Sequence, residues 1–336
     1  MEEGNRMAVG LMLPLGMGAL GDGGKVPWTT IHEMATLAEA AGFESLVVPD
    51  HLLFRRSPPT NNPPVAMPEG HSRGIWEAWT ILSAVAAITR RVTLSPYVAC
   101  TAFRNPALLA KMADTLDEVS GGRLVLGLGA GWHEPEFDAF GFPFDHLVSR
   151  FEEALQIIVP LLREGHVDFP GRYYQARQCE LLPRGPRRTG PPILIGAQGP
   201  RMLRLVARYA DRFDAGFHLR SEDVVERSRS LERACAETGR DPKGIERSAA
   251  TRVAVVEGRG AGTSGSFQVG PAREGIAEFD LADVRFEGRQ DTPEALAGYL
   301  RSFEAAGVQH LTCTILDPPG SRGLEQFARV LERLRK

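Results

Sequence analysis

The chain has little of what several function classes require. Its 336 residues include four cysteines, Cys100, Cys179, Cys235 and Cys313. None forms a C-x-x-C pair, which argues against a zinc site or a redox dithiol. No apolar run approaches the length of a membrane span. Charge of one sign is not in excess either: 39 Lys and Arg stand against 42 Asp and Glu, a formal net charge of −3. A nucleic acid or an anionic membrane would call for a basic surplus. The first six residues are acidic and polar, unlike an export signal. These absences leave a cytoplasmic protein with small-molecule partners and no metal site as the expectation.

Glycine and regular apolar spacing are abundant instead. The stretch 103–132 reads FRNPALLAKMADTLDEVSGGRLVLGLGAGW. Asn105 is placed as an N-cap, Pro106 at the first helical position, and Leu108, Leu109, Met112, Leu116 and Val119 follow a 3.6 period until Gly121 and Gly122 stop the helix. Leu124, Val125 and Leu126 then suit a parallel strand covered on both faces. Gly127, Gly129 and Gly131 strip that strand of side chains towards its end. Their spacing is G-x-G-x-G before Trp132, so a G-x-G-x-x-G dinucleotide fingerprint opening a helix is disfavoured. Either close backbone packing or a flat ligand over the strand end accounts for them.

Strand and helix patterns alternate along the whole chain. Strands are expected at 7–15, 44–48, 92–99, 124–126, 192–197, 213–219, 251–256 and 311–316; helices are expected at 27–42, 75–88, 105–120, 146–165, 199–212, 221–239, 292–307 and 324–334. Eight of each make an α/β (β/α)8 TIM barrel the simplest fold, one domain over 1–336. Insertions follow strands 2, 4 and 7, at about 52–74, 167–189 and 258–290. The first is long enough to be a lid, the middle one has the pattern of a small hairpin, and the glycine-rich 258–275 reads as a mobile loop. Helix 75–88 is apolar nearly all round, which predicts a homodimer through it, or else a loop folded over it.

In such barrels the chemistry lies at the C-terminal strand ends. That rule selects Asp50 and His51, residues 97–104, residues 129–136, residues 196–201 and His218. His51 can move a proton near neutral pH and Asp50 can hold a polar edge of a ligand, unless the pair is only a cap beside a packed histidine. At Gly196-Ala197-Gln198-Gly199-Pro200-Arg201 a strand turns into a helix with proline in its first turn. The amides of Gly199, Arg201 and Met202 there make an anion site, phosphate foremost, although a plain turn would have the same pattern. Cys100 is read as a pocket residue or a small apolar filler.

The runs DHLL (50–53), EAWTILSAVAAIT (77–89), 103–132, EFDAFGFPF (136–144) and IGAQGPRMLRLVARYAD (195–211) together resemble the bacterial luciferase-like family of flavin and deazaflavin oxidoreductases. The similarity extends over about 7–334. It implies a TIM barrel holding coenzyme F420 or FMN. It places the phosphate at Gly196, Ala197, Gln198, Gly199, Pro200 and Arg201, and the ring beside Asp50, His51 and strand three. Tyr97, Val98 and Ala99 lie there, with a cis Tyr97–Val98 peptide, and the backbone of Gly129, Ala130 and Gly131 lies near the cofactor. The Gly-Pro turn is most similar to the F420-dependent group. The resemblance implies hydride transfer between F420 and a small organic substrate, with His51 catalytic and Arg55, Cys100, Trp132 and His218 in the substrate pocket. An FMN-dependent monooxygenase using oxygen and a non-catalytic cofactor-binding barrel are the alternatives. Sugar-phosphate and alcohol dehydrogenases of the F420 group carry glutamate where this chain has Trp132, and tryptophan where it has Arg55, which puts those two reactions in doubt.

Overall fold

A computed structural model describes residues 6–20, 23–57, 65, 67, 69–256, 276–281, 284–317 and 320–336. Eight barrel strands are formed by Ala8–Met12 (β1), Ser45–Val48 (β2), Thr93–Pro96 (β3), Leu126–Gly129 (β4), Ile193–Gly196 (β5), Arg212–Phe217 (β6), Glu246–Val255 (β7) and His310–Asp317 (β8). They pair in parallel in the order β3-β2-β1-β8-β7-β6-β5-β4. The ring closes where Leu94 bridges Leu124, with Val125 N–H donating to Leu94 O at 2.8 Å. The barrel read from periodicity is therefore the fold.

The helices that wrap it are Trp28–Ala41 (α1), Ala78–Ile88 (α2), Pro106–Ser120 (α3), Leu147–Glu164 (α4), Pro200–Tyr209 (α5), Ser221–Thr238 (α6), Pro293–Ala305 (α7) and Ser321–Leu334 (α8). α3 is built from its own signals. Asn105 Oδ1 accepts from the amides of Ala107 and Leu108 at 2.9 and 3.2 Å, and Gly121 closes the helix at φ 67°. α2 starts three residues later than its apolar run, because the Glu77 carboxylate caps it by accepting from Trp79 and Thr80 amides. Only one face of α2 is buried, through Ala78, Trp79, Leu82, Val85 and Ala86; Thr80, Ser83 and Ala87 are exposed.

Several boundaries differ from the expectation. The third strand breaks after Pro96 at the cis Tyr97–Val98 peptide and resumes as Ala99–Cys100, which pairs with Leu128 and Gly129. The fourth strand takes in Gly127 and Gly129, as expected, and stops short of Gly131. β7 begins five residues early, its first half disguised by Glu246, Arg247 and Ser248. Glu134–Phe140 forms a short helix where no periodic pattern predicts one.

The insertions carry small sheets. Leu53–Arg55 pairs with Ser72–Gly74, and His166–Pro170 pairs with Gln175–Glu180, the hairpin expected from the sequence. Residues 257–275 lie outside the described residues, and so does the mobile loop expected at 258–275. Beyond them Ile276–Leu281 pairs with Val284–Asp291, which runs parallel beside β7. Among the described residues no helix is long and apolar enough to cross a membrane.

The barrel interior is more polar than its strands suggested. Ser45 Oγ lies 2.7 Å from His310 Nε2, and Asp214 accepts from Ser248 Oγ at 2.7 Å and from Gly216 N–H at 2.8 Å. Burial holds His310 neutral by pushing its pKa down to about 4. Burial also raises Asp214, against the donors that surround it. Period-2 alternation aims these polar side chains inward and the apolar ones at the helices.

Candidate active site

At the C-terminal end of β2, His51 faces the barrel mouth. Its Nδ1 lies 2.8 Å from Glu136 Oε1, and Glu136 Oε2 accepts from the Leu52 amide at 2.8 Å. Glu136 comes from the short helix Glu134–Phe140 and is 1% exposed. Aromatic rings flank the imidazole: Phe54 at 4.5 Å between centroids and Trp132 edge-on at 5.4 Å. His133 packs behind them, wholly buried, with Nε2 accepting from the Arg55 amide at 3.1 Å. Burial pushes its pKa down to about 4, which keeps it neutral.

Asp50, one residue earlier, is not presented to a ligand. Its Oδ2 accepts from Arg104 Nη1 at 2.7 Å and from the Cys100 amide at 2.9 Å, while Oδ1 accepts from Arg104 Nη2 at 2.9 Å. Arg104 Nη2 also donates to Glu77 Oε1 at 2.8 Å. This buried group ties β2, the end of strand three and the α2 cap together. The expected polar anchor for a ligand is thus a structural anchor.

The strand-three segment has two faces. Tyr97 turns inward, crosses the barrel and donates its hydroxyl to Asp214 Oδ1 on β6 at 2.6 Å; burial and the neighbouring Asp214 raise its pKa well above the usual phenol. Val98 lies over the glycines: a Cβ on Gly129 would stand 2.5 Å from Val98 Cγ2, and one on Gly127 would collide with the Pro96 carbonyl. Close packing is therefore reason enough for Gly127 and Gly129. A Cβ on Gly131 would meet Phe137 and Cys100, and Ala99 is buried in the core, while Ala130 is half-buried.

Cys100 does not line the mouth. It is packed with Ala102, Phe103 and Phe137 in a small satellite core, and burial raises its thiol pKa far above the ordinary value. Arg55 points away from His51: its Nε donates to Ser72 Oγ at 3.0 Å, and with Arg56 and His71 it lines an open cavity of the hairpin. His218, after β6, is half-buried with Nε2 at 3.1 Å from the Ala215 carbonyl.

At the strand-five turn, Gly199 is the N-cap of α5 in extended conformation and no side chain caps the helix. Gln198, Gly199 and Pro200 are exposed, and open space surrounds the Gly199 Cα; Ala197 is buried and Gly196 half-buried. First-turn amides without a cap and a positive helix end suit an oxyanion. The Arg201 guanidinium turns aside to Ser149 Oγ at 3.0 Å and Glu152 Oε2 at 2.8 Å, away from the turn.

A profile of the luciferase-like monooxygenase family matches residues 7–264. The chain belongs to this family. Among its relatives is the phthiodiolone/phenolphthiodiolone dimycocerosates ketoreductase of Mycobacterium sp. (strain JLS), 36% identical over 177 residues, 51% of this chain and 46% of that protein. Another is the pyrimidine monooxygenase RutA of Methylobacterium radiotolerans, 37% identical over 174 residues, 49% of this chain and 44% of that protein. The chain spans about half the length of the curated relatives it matches. Among solved structures, an F420-dependent secondary alcohol dehydrogenase in complex with an F420-acetone adduct superposes with a TM-score of 0.75 at 18% identity, covering 98% of this chain and 100% of that one. At that identity the likeness is one of fold.

This luciferase-like barrel gathers His51, Trp132 and the strand-five turn at one end of its strands. Sequence reasoning included Glu136 only as the last residue of the 129–136 strand end and gave it no role, although it stands first in the EFDAFGFPF run. An acidic residue four positions after Trp132 at a strand end was the available signal.

Proposed function

We propose that the chain is an oxidoreductase that transfers a hydride between coenzyme F420 and a small organic substrate at the barrel mouth. The observation that carries the reading is the uncapped first turn of α5 at Gly199-Pro200, set at the same end of the barrel as His51. A phosphate fits these amides, and the Gly-Pro turn resembles the F420-dependent group. The coenzyme supplies hydride chemistry; the chain supplies position, exclusion of water and proton movement. Trp132 and Phe54 flank the His51 ring. His51 gives or takes the proton that accompanies the hydride. The Mycobacterium relative's name, a ketoreductase, supports a carbonyl or similar activated double bond as the substrate class.

The RutA relative favours a second reading, an FMN-dependent monooxygenase in the same barrel. Titration of the purified protein with F420 and with FMN separately, followed by fluorescence, tests both readings. Saturable F420 binding far tighter than FMN binding is expected; tighter FMN binding, with product formation that requires oxygen, overturns the first reading in favour of the second. The chain further works as a homodimer through α2, whose outer positions Thr80, Ser83 and Ala87 are small and exposed beside the exposed Leu108 of α3.

A further inference from the structure

We infer that Glu136 is a positioning residue that holds the proton of neutral His51 on Nδ1, so that Nε2 is the atom exchanging a proton with a bound ligand. The inference rests on the reading of the barrel mouth as an oxidoreductase site. The chemistry of the pair leaves one arrangement. Glu136 Oε2 accepts from Leu52 N–H at 2.8 Å, a group that can only donate, and Oε1 lies 2.8 Å from His51 Nδ1. A carboxylate that accepts on both oxygens obliges Nδ1 to donate. In a neutral imidazole the lone pair then resides on Nε2.

The surroundings direct that lone pair outward. The Glu136 side chain is 2% exposed and that of His51 17%, so solvent and ligands reach the dyad only through the imidazole. Phe54 and Trp132 flank the ring. Among the described residues Nε2 has no hydrogen-bond partner. The neighbouring His133 cannot replace it, because its Nε2 already accepts from the Arg55 amide and the residue is wholly buried. Glu136 reaches this position only because 134–140 is helical, with Gly141 at its C-cap and Phe137 anchored in the satellite core. The short helix thereby orients the imidazole, much as a carboxylate orients the histidine of other proton-transfer pairs.

The tautomer can be read without any coenzyme or substrate. Nitrogen-15 NMR of the ligand-free protein, recorded above the titration range of the ring, is expected to show His51 protonated at Nδ1 and unprotonated at Nε2. Glu136→Gln replaces one acceptor oxygen by an amide donor and is expected to lower the Nδ1–H to Nε2–H ratio by about tenfold or more. Proton transfer in that variant should fall while binding of each coenzyme holds. A wild-type ring protonated at Nε2, or a ratio unchanged in a folded Glu136→Gln, overturns the inference. Should Glu136→Gln not fold, the wild-type spectrum decides by itself. Since the spectrum needs no turnover, the tautomer is settled even in a protein that oxidises and reduces nothing.

Discussion

Arg104 grips Asp50 with both ends of its guanidinium, at 2.7 and 2.9 Å, in a pair whose side chains are 11% and 0% exposed. Removing one partner of a buried pair leaves an uncompensated charge and costs about 3–5 kcal/mol. Arg104→Ala is expected to lose that much in urea denaturation. Arg104→Lys keeps the charge without the fork and should fall between the variant and the wild type.

His310 supplies a pH dependence whose sign follows from its burial. Its folded pKa of about 4 lies below the unfolded value of 6.5. Between those values the unfolded chain takes up a proton that the folded chain refuses, so stability is complete above 6.5 and falls as pH falls. By pH 5 the loss from this residue is about 2 kcal/mol. His133, displaced in the same direction, adds to it. Urea midpoints at pH 7, 6 and 5 should show the slope in the wild type and a shallower one in His310→Asn.

Gly199 offers a substitution with opposed effects. Asp at this exposed, extended N-cap should stabilise α5 by a few tenths of a kcal/mol. The same carboxylate would occupy the amides proposed to hold a phosphate. Gly199→Asp is therefore expected to raise the melting temperature slightly while weakening coenzyme binding about tenfold or more, read by fluorescence titration. Unchanged affinity would move the phosphate elsewhere.

His51→Ala should reduce turnover by about a hundredfold to ten-thousandfold. The dissociation constant of the coenzyme, measured separately, should change by no more than about threefold, because the proposed role acts on a proton rather than on affinity. Equal losses in both would count against the proton role.

The dimer is tested on the outer face of α2. The chain mass is 36.7 kDa, and light scattering should give twice that for the wild type. The double variant Ser83→Glu, Ala87→Glu puts two unpaired charges into the expected interface and should give a single chain with its circular dichroism unchanged.

Period and punctuation made the barrel legible. Asn105, Pro106 and Gly121 marked α3, and alternating strands and helices set the order of the ring. Polar residues inside strands were not legible in the same way: Asp214, Ser248 and His310 face inward, where Ser248 donates to Asp214 and His310 pairs with Ser45. The site was half visible. His51 and the strand-five turn follow from the rule that strand ends carry chemistry, whereas the commitments of Asp50, Cys100 and Arg201 depend on contacts between residues far apart in the chain. The absence of a glutamate at Trp132 hid a related fact. A carboxylate does reach the histidine, delivered by Glu136 from a helix that no period announced.

The bond from Tyr97 across to Asp214 joins two strands through the barrel interior. Among the described residues, Tyr97, Ser45, Arg212, Ser248 and His310 line a small cavity inside the barrel. The polar side chains inside the barrel are thus committed to one another across the strands, Tyr97 and Ser248 to Asp214 and Ser45 to His310. Changes in the loops at the strand ends can therefore alter the barrel mouth without disturbing the polar bonds that hold the strands together inside.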